Sequence, residues 1–144
     1  MSDFKYYDGS VSLKYSRCTD YAAYAVQALE EMKRQKKDTI KNNIMTEGVI
    51  VRHLILPCNT DQSIKILNLL KNQFGTDIYL SLMAQYLPCG KAAEYPNINR
   101  KITLREYNKV SDYAFSLEFK NLFLQELSSA VKDYIPDFDF TGVW

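Results

Sequence analysis

The chain reads as an α/β protein built on a parallel sheet, and three observations carry that reading. Two apolar runs, Val49-Ile-Val-Arg-His-Leu-Ile-Leu56 and Ile78 to Tyr86, end at Pro57 and Pro88. Near-continuous apolarity of this length suits strands packed on both faces, as in a parallel sheet. Between and around them lie segments with apolar residues at helical spacing. The resulting order, β-α-β-α-β-α-β, is the alternation that produces parallel strands with right-handed crossovers. Four strands and three helices suit half of a barrel or a small open sheet.

The elements follow in order. Phe4, Tyr6 and Tyr7 predict the end of a short strand, stopped by the turn signal Asp8-Gly9. Ala22, Ala25, Val26, Leu29 and Met32 form one apolar stripe, which predicts a helix over 19–35 capped by Thr19 or Asp20. Its end carries the basic run Lys33-Arg34-Gln35-Lys36-Lys37, where cations suit the helix dipole. Residues 36–48 are polar, end in Gly48 and read as a loop. After the 49–56 strand, Thr60 starts a helix over 61–73, with Ile64, Leu67, Leu70 and Phe74 inward and Gly75 as its stop. A polar connection over 88–101 follows the 78–86 strand. Thr103-Leu-Arg-Glu106 is a capping box opening a helix striped by Leu104, Tyr107, Val110, Ala114 and Leu117. A fourth strand is expected over 121–126. The tail, with Asp137-Phe-Asp-Phe140, lacks periodicity.

Composition narrows the function classes. The chain has 144 residues, expected to form a single domain over 1–144, and its net charge of +1 gives no reason to expect nucleic acid or acidic lipid as a partner. No apolar run approaches the roughly 20 residues that span a bilayer. The opening MSDFKYYDGS does not resemble a signal peptide, so the expected compartment is the cytoplasm. Cys18, Cys58 and Cys89 are odd in number and widely spaced, which suits neither a disulfide framework nor a metal site.

Ligands of parallel α/β folds sit at the carboxyl ends of the strands. Those ends offer Asp3, Lys5 and Asp8; Pro57, Cys58 and Asn59; Gln85, Tyr86 and Cys89; and Gln125 with Glu126. Five glycines and no Gly-rich strand-to-helix turn exclude a Rossmann or P-loop site. Arg52 interrupts an apolar run, and a guanidinium there needs an anionic partner, either from a ligand or from a carboxylate such as Asp3 or Glu126. Strand alternation sends His53, the only histidine, to the opposite face, where a hydrogen-bonded core role is expected. Cys58 and Cys89 lack a histidine partner for nucleophilic work, and most of the 11 tyrosines are expected to pack the core. No residue is assigned a catalytic or metal-binding role.

Three segments together suggest a family: Asp3-Phe-Lys-Tyr-Tyr7, Gly48 to Pro57, and Tyr79 to Pro88. Tyr95-Pro-Asn-Ile-Asn-Arg100 and Tyr134-Ile-Pro-Asp-Phe-Asp139 add to them. In order and spacing they resemble the C-terminal half of radical S-adenosylmethionine proteins related to the pyruvate formate-lyase activating enzyme. The resemblance implies about half of a (βα)6 barrel. It implies S-adenosylmethionine and a [4Fe-4S] cluster as cofactors, the cluster being held by a CxxxCxxC motif in the N-terminal half. The family's chemistry cleaves S-adenosylmethionine to a radical that abstracts a hydrogen atom, in the activating enzymes from a glycine of a glycyl radical enzyme. Its Asp-x-Lys motif matches Asp3 and Lys5, its strand arginine matches Arg52, and Gln85 lies where the next strand approaches the cofactor.

The departures are as informative. CxxxCxxC is absent, Cys58 stands where a glycine usually follows the proline, and the early strands of the barrel have no counterpart. The sequence therefore points to a fragment of a radical enzyme, inactive alone, that supplies part of the S-adenosylmethionine pocket and needs a cluster-binding N-terminal half. The other reading is a non-catalytic binding or assembly module that keeps the half-barrel and pairs its exposed strand edges in a self-dimer.

Overall fold

The computed structural model describes residues 1–129. Its centre is a strand, β4 (Ile50–Leu54), in which Val51 and His53 are buried while Ile50, Arg52 and Leu54 are partly exposed. The alternation corrects the expectation of a strand packed on both faces: among the described residues only one face is covered. The same pattern marks β5 (Tyr79–Met83), with Leu80 and Leu82 buried and Tyr79 and Ser81 partly exposed, up to its last residue, Met83, which is buried. On one side β4 pairs with the two-residue β1 (Ser2–Asp3), and on the other β5 pairs with β6 (Asn121–Leu124). All three pairings are parallel, and the strands lie in chain order, β1-β4-β5-β6.

A sheet laid down in one direction with crossovers of one hand gathers its helices on one face. The core shows this. Leu29 of α2 (Tyr21–Gln35), Ile66, Leu67 and Leu70 of α3 (Thr60–Phe74), and Val110 and Ala114 of α4 (Leu104–Ser116) pack with Val51, Leu80 and Leu82. The capping box at Thr103 and Glu106 is present, and Gly75 ends α3. Thr60 is already helical, and Asn59 precedes it without a side-chain cap bond. Leu104 and Met32 fall outside their expected stripes and are exposed.

Two elements differ from expectation. Asp8-Gly9 does not end in a turn but starts α1 (Gly9–Ser16), whose weak apolar face buries only Ser12. The 36–48 segment holds a hairpin, β2 (Thr39–Lys41) with β3 (Ile44–Glu47). Its Asn42 and Asn43 have φ of 51° and 61°, the left-handed pair that two-residue hairpin turns require and asparagine tolerates. No helix among the described residues is long and apolar enough to cross a membrane. The expected motifs at Tyr134–Asp139 and Asp137–Phe140 lie outside the described residues.

Candidate functional site

The uncovered sheet face is where the candidate residues meet. Phe4 is fully buried on the helix side, so Asp3 and Lys5 flank it toward the open side, in line with Arg52. Arg52 Nε donates to Asp3 Oδ1 at 2.7 Å, and Lys5 Nζ lies 4.0 Å from Asp3 Oδ2. The carboxylate that Arg52 requires is therefore Asp3, one strand away, and not Glu126. Both side chains keep more than a third of their surface in solvent (35% and 37%), so this pair is not the buried one that an apolar run suggests. The terminal nitrogens of Arg52 have no hydrogen bond among the described residues.

Gln85 extends the same face beyond the end of β5. Arg52, Ser81, Met83, Gln85, Phe123 and Gln125 line one open cleft of about 330 Å³. The polarity of its far wall follows from one backbone group. Ala84 N–H can only donate, so it fixes Gln125 Oε1 as acceptor at 3.1 Å. Gln125 Nε2 then donates to Gln85 Oε1 at 2.8 Å, which leaves the Gln85 amide nitrogen as a donor. Gln125 was visible in the sequence only as a strand-end residue. Its orienting role depends on a backbone amide that no pattern identifies.

The opposite face holds His53 as expected. The ring is buried, with Nδ1 2.7 Å from Phe4 O and Nε2 2.8 Å from Ser63 Oγ. A carbonyl can only accept, so Nδ1 carries the proton and Nε2 accepts from the serine. Burial pushes the imidazole pKa down to about 4, against the pull of the Phe4 carbonyl.

At the carboxyl ends of the strands, Glu106 gathers the connection that follows β5. Its carboxylate accepts from Arg100, from Cys58 N at 2.7 Å and from Thr103. The Arg100 guanidinium holds this carboxyl well below the usual carboxylate range. Arg100 Nη2 also lies 3.1 Å from Cys58 Sγ, and Cys58 has a left-handed φ of 56°. Neither Arg100 nor Glu106 was singled out as a pair from the sequence, because they are joined through a loop of irregular spacing. Tyr86 donates to Ile98 O, and burial raises its hydroxyl pKa to about 12.

The donor set can be compared with the cofactors the resemblance implies. Cys18, Cys58 and Cys89 are all exposed, and no group of three or more His, Cys, Asp or Glu among the described residues could hold a metal ion. These residues do not fit a [4Fe-4S] cluster. The open face does fit a zwitterionic ligand: Arg52, Lys5 and Gln85 offer donors, and Asp3 offers an acceptor.

Over 81 residues the chain is 38% identical to an uncharacterized protein of Methanocaldococcus jannaschii. The match takes in 54% of this chain and 24% of the relative, so the chain spans about a quarter of the length of the relative it matches. No family model matches the chain, and no solved structure matches it.

Proposed function

We propose that this chain is the C-terminal half of a radical S-adenosylmethionine protein of the glycyl-radical-enzyme activase type, and that its open sheet face is one wall of the cofactor pocket. One observation carries the reading: a parallel sheet in strict chain order, clothed on one face only among the described residues, gathers Asp3, Lys5, Arg52 and Gln85 on the open face. Such a sheet is what a segment of a (βα)6 barrel looks like, the bare face being the barrel's interior. Arg52 and Lys5 would hold the methionine carboxylate, Asp3 the ammonium or a hydroxyl, and Gln85 would donate from the neighbouring strand. When bound, S-adenosylmethionine supplies the sulfonium whose cleavage is the family's chemistry. Cluster binding is assigned to a separate N-terminal half, because the cysteines of this chain do not fit that task. A glycyl radical enzyme is the proposed final partner, and the proposed setting is the cytoplasm.

The open strand edges suit the second reading, a binding or assembly module without catalysis that pairs two edges in a self-dimer. The neighbouring DNA separates the two. A CxxxCxxC segment encoded just upstream, which on co-expression restores brown colour and cofactor cleavage under anaerobic reducing conditions, supports the radical reading. An upstream region without that segment, together with a stable dimer of the chain alone, favours the module.

A further inference from the structure

The edge of the sheet at β1 carries a signature of its own. Phe4 N donates to Arg52 O at 2.8 Å, so the peptide groups alternating with it point the other way, off the sheet. Those groups are Asp3 C=O and Lys5 N–H, and a single hydroxyl satisfies both. Lys5 N donates to Tyr21 Oη at 3.0 Å, and Tyr21 Oη donates to Asp3 O at 3.0 Å. An acceptor on residue i and a donor on residue i+2, both served by one partner residue, is the hydrogen-bond pattern of a parallel strand. Tyr21 thus does with one oxygen what the backbone of a neighbouring parallel strand would do with its N–H and C=O. Its ring completes the substitution, standing edge-on to Phe4 at 6.0 Å and to Tyr6 at 5.2 Å, over the apolar side of the edge.

We propose that the β1 edge is a docking site for one extended segment running parallel to β1, and that Tyr21 occupies this site until the segment displaces it. The inference rests on the reading that a further segment completes the sheet, and it names where and in which direction that segment joins. A second copy of this chain is not the occupant. The same edge met across a two-fold axis runs antiparallel, and one of its residues then bonds both groups of a single residue rather than groups two residues apart. Tyr21 is the first residue of α2 and its ring packs on Phe4 and Tyr6, so a segment that displaces it must cover those two rings in its place. The incoming strand needs an apolar residue level with Phe4 and polar residues on either side of it, level with Asp3 and Lys5.

The test uses the full chain, with a seven-residue acetylated peptide alternating threonine and valine between terminal lysines. A copy of the peptide N-methylated along one edge is the control. Tyr21→Phe keeps the ring and removes the competing hydroxyl. We expect it to speed amide exchange at Lys5 in the free protein and to tighten peptide binding by about tenfold, since two peptide groups no longer have to be released first. In the unsubstituted chain, the peptide should slow exchange at Lys5 and the N-methylated copy should not. Three results would each overturn the inference: equal affinity for both chains, binding that protects the β6 edge at Leu122 and Leu124 instead, or no binding at all. The upstream DNA tests the functional reading independently, so a cluster segment found there alongside a silent β1 edge sinks the edge inference alone.

Discussion

Arg100 and Glu106 face each other through two parallel hydrogen bonds, Nη1 to Oε2 at 2.8 Å and Nη2 to Oε1 at 2.7 Å. The same carboxylate closes the α4 capping box and holds the Cys58 amide, so one side chain ties three segments at the carboxyl ends of β4 and β5. Glu106→Ala should lower stability by about 2–4 kcal/mol, from a lost cap together with donors left unpaired. Glu106→Gln keeps an acceptor for Cys58 and should cost roughly half as much. Urea unfolding midpoints of the two variants check the ranking. Because the folded carboxyl is held below its ordinary range, this contribution is present above the ordinary carboxylate pKa and fades as pH falls below it.

His53 makes a second pH prediction at milder acidity. Its folded pKa of about 4 lies below the ordinary 6.5, so the unfolded chain takes up the proton more readily. Stability should therefore be full above pH 6.5, fall as pH drops toward 4, and change no further on this account below that. The total loss is about 3 kcal/mol, from 1.36 kcal/mol per pKa unit. In His53→Gln that slope should disappear. Equilibrium unfolding at pH 7 and pH 4.5 measures it, and a variant with an unchanged slope would assign the pH dependence to other groups.

Arg52 gives a separation of binding from folding. The guanidinium and Asp3 are both more than a third exposed, so the pair should contribute no more than about 1 kcal/mol. Arg52→Ala should leave the unfolding midpoint nearly unchanged and, on the proposed function, weaken S-adenosylmethionine binding, read by calorimetry on the chain reconstituted with the proposed cluster-bearing half. A variant that unfolds would show that Arg52 matters structurally and remove it as evidence for a pocket.

Gly9 marks a close approach that its sequence context hides. A Cβ there would stand 2.6 Å from the Thr19 carbonyl oxygen, a backbone atom that cannot swing aside. Gly9→Ala should push α1 away from the start of α2 and cost about 1–3 kcal/mol. A thermal melt checks it, and an unchanged melting temperature would mean that the α1–α2 connection moves freely.

The parts of this fold legible in the sequence are those set by local periodicity and punctuation. The strands around Val51 and Leu80, the capping box at Thr103 and the stop at Gly75 each follow from neighbours a few residues away. The hairpin at Asn42-Asn43 was hidden because its strands are short and mostly exposed, and α1 because its apolar face is almost empty. One-sided cover is a property of the assembled sheet: an isolated stretch such as Ile50 to Leu54 is apolar on both faces and does not say which of them a helix will reach. For the site, alternation placed Arg52 and His53 on opposite faces correctly. Long-range partners were not legible in the same way, since Gln125 orients Gln85 and Ser63 anchors His53 only after the sheet is built.

The β1–β4 pairing has a consequence for how the chain emerges from the ribosome. Asp3 and Arg52 are 49 residues apart, and no ladder in this sheet joins strands linked by a short turn. β1 therefore waits, unpaired, until β4, about fifty residues further along, has left the ribosome and can receive it. During that interval Phe4 and Tyr6, both buried in the folded chain, are aromatic groups without a core. Nascent chains arrested just before and just after β4 clears the exit tunnel should differ sharply in protease sensitivity at those aromatics.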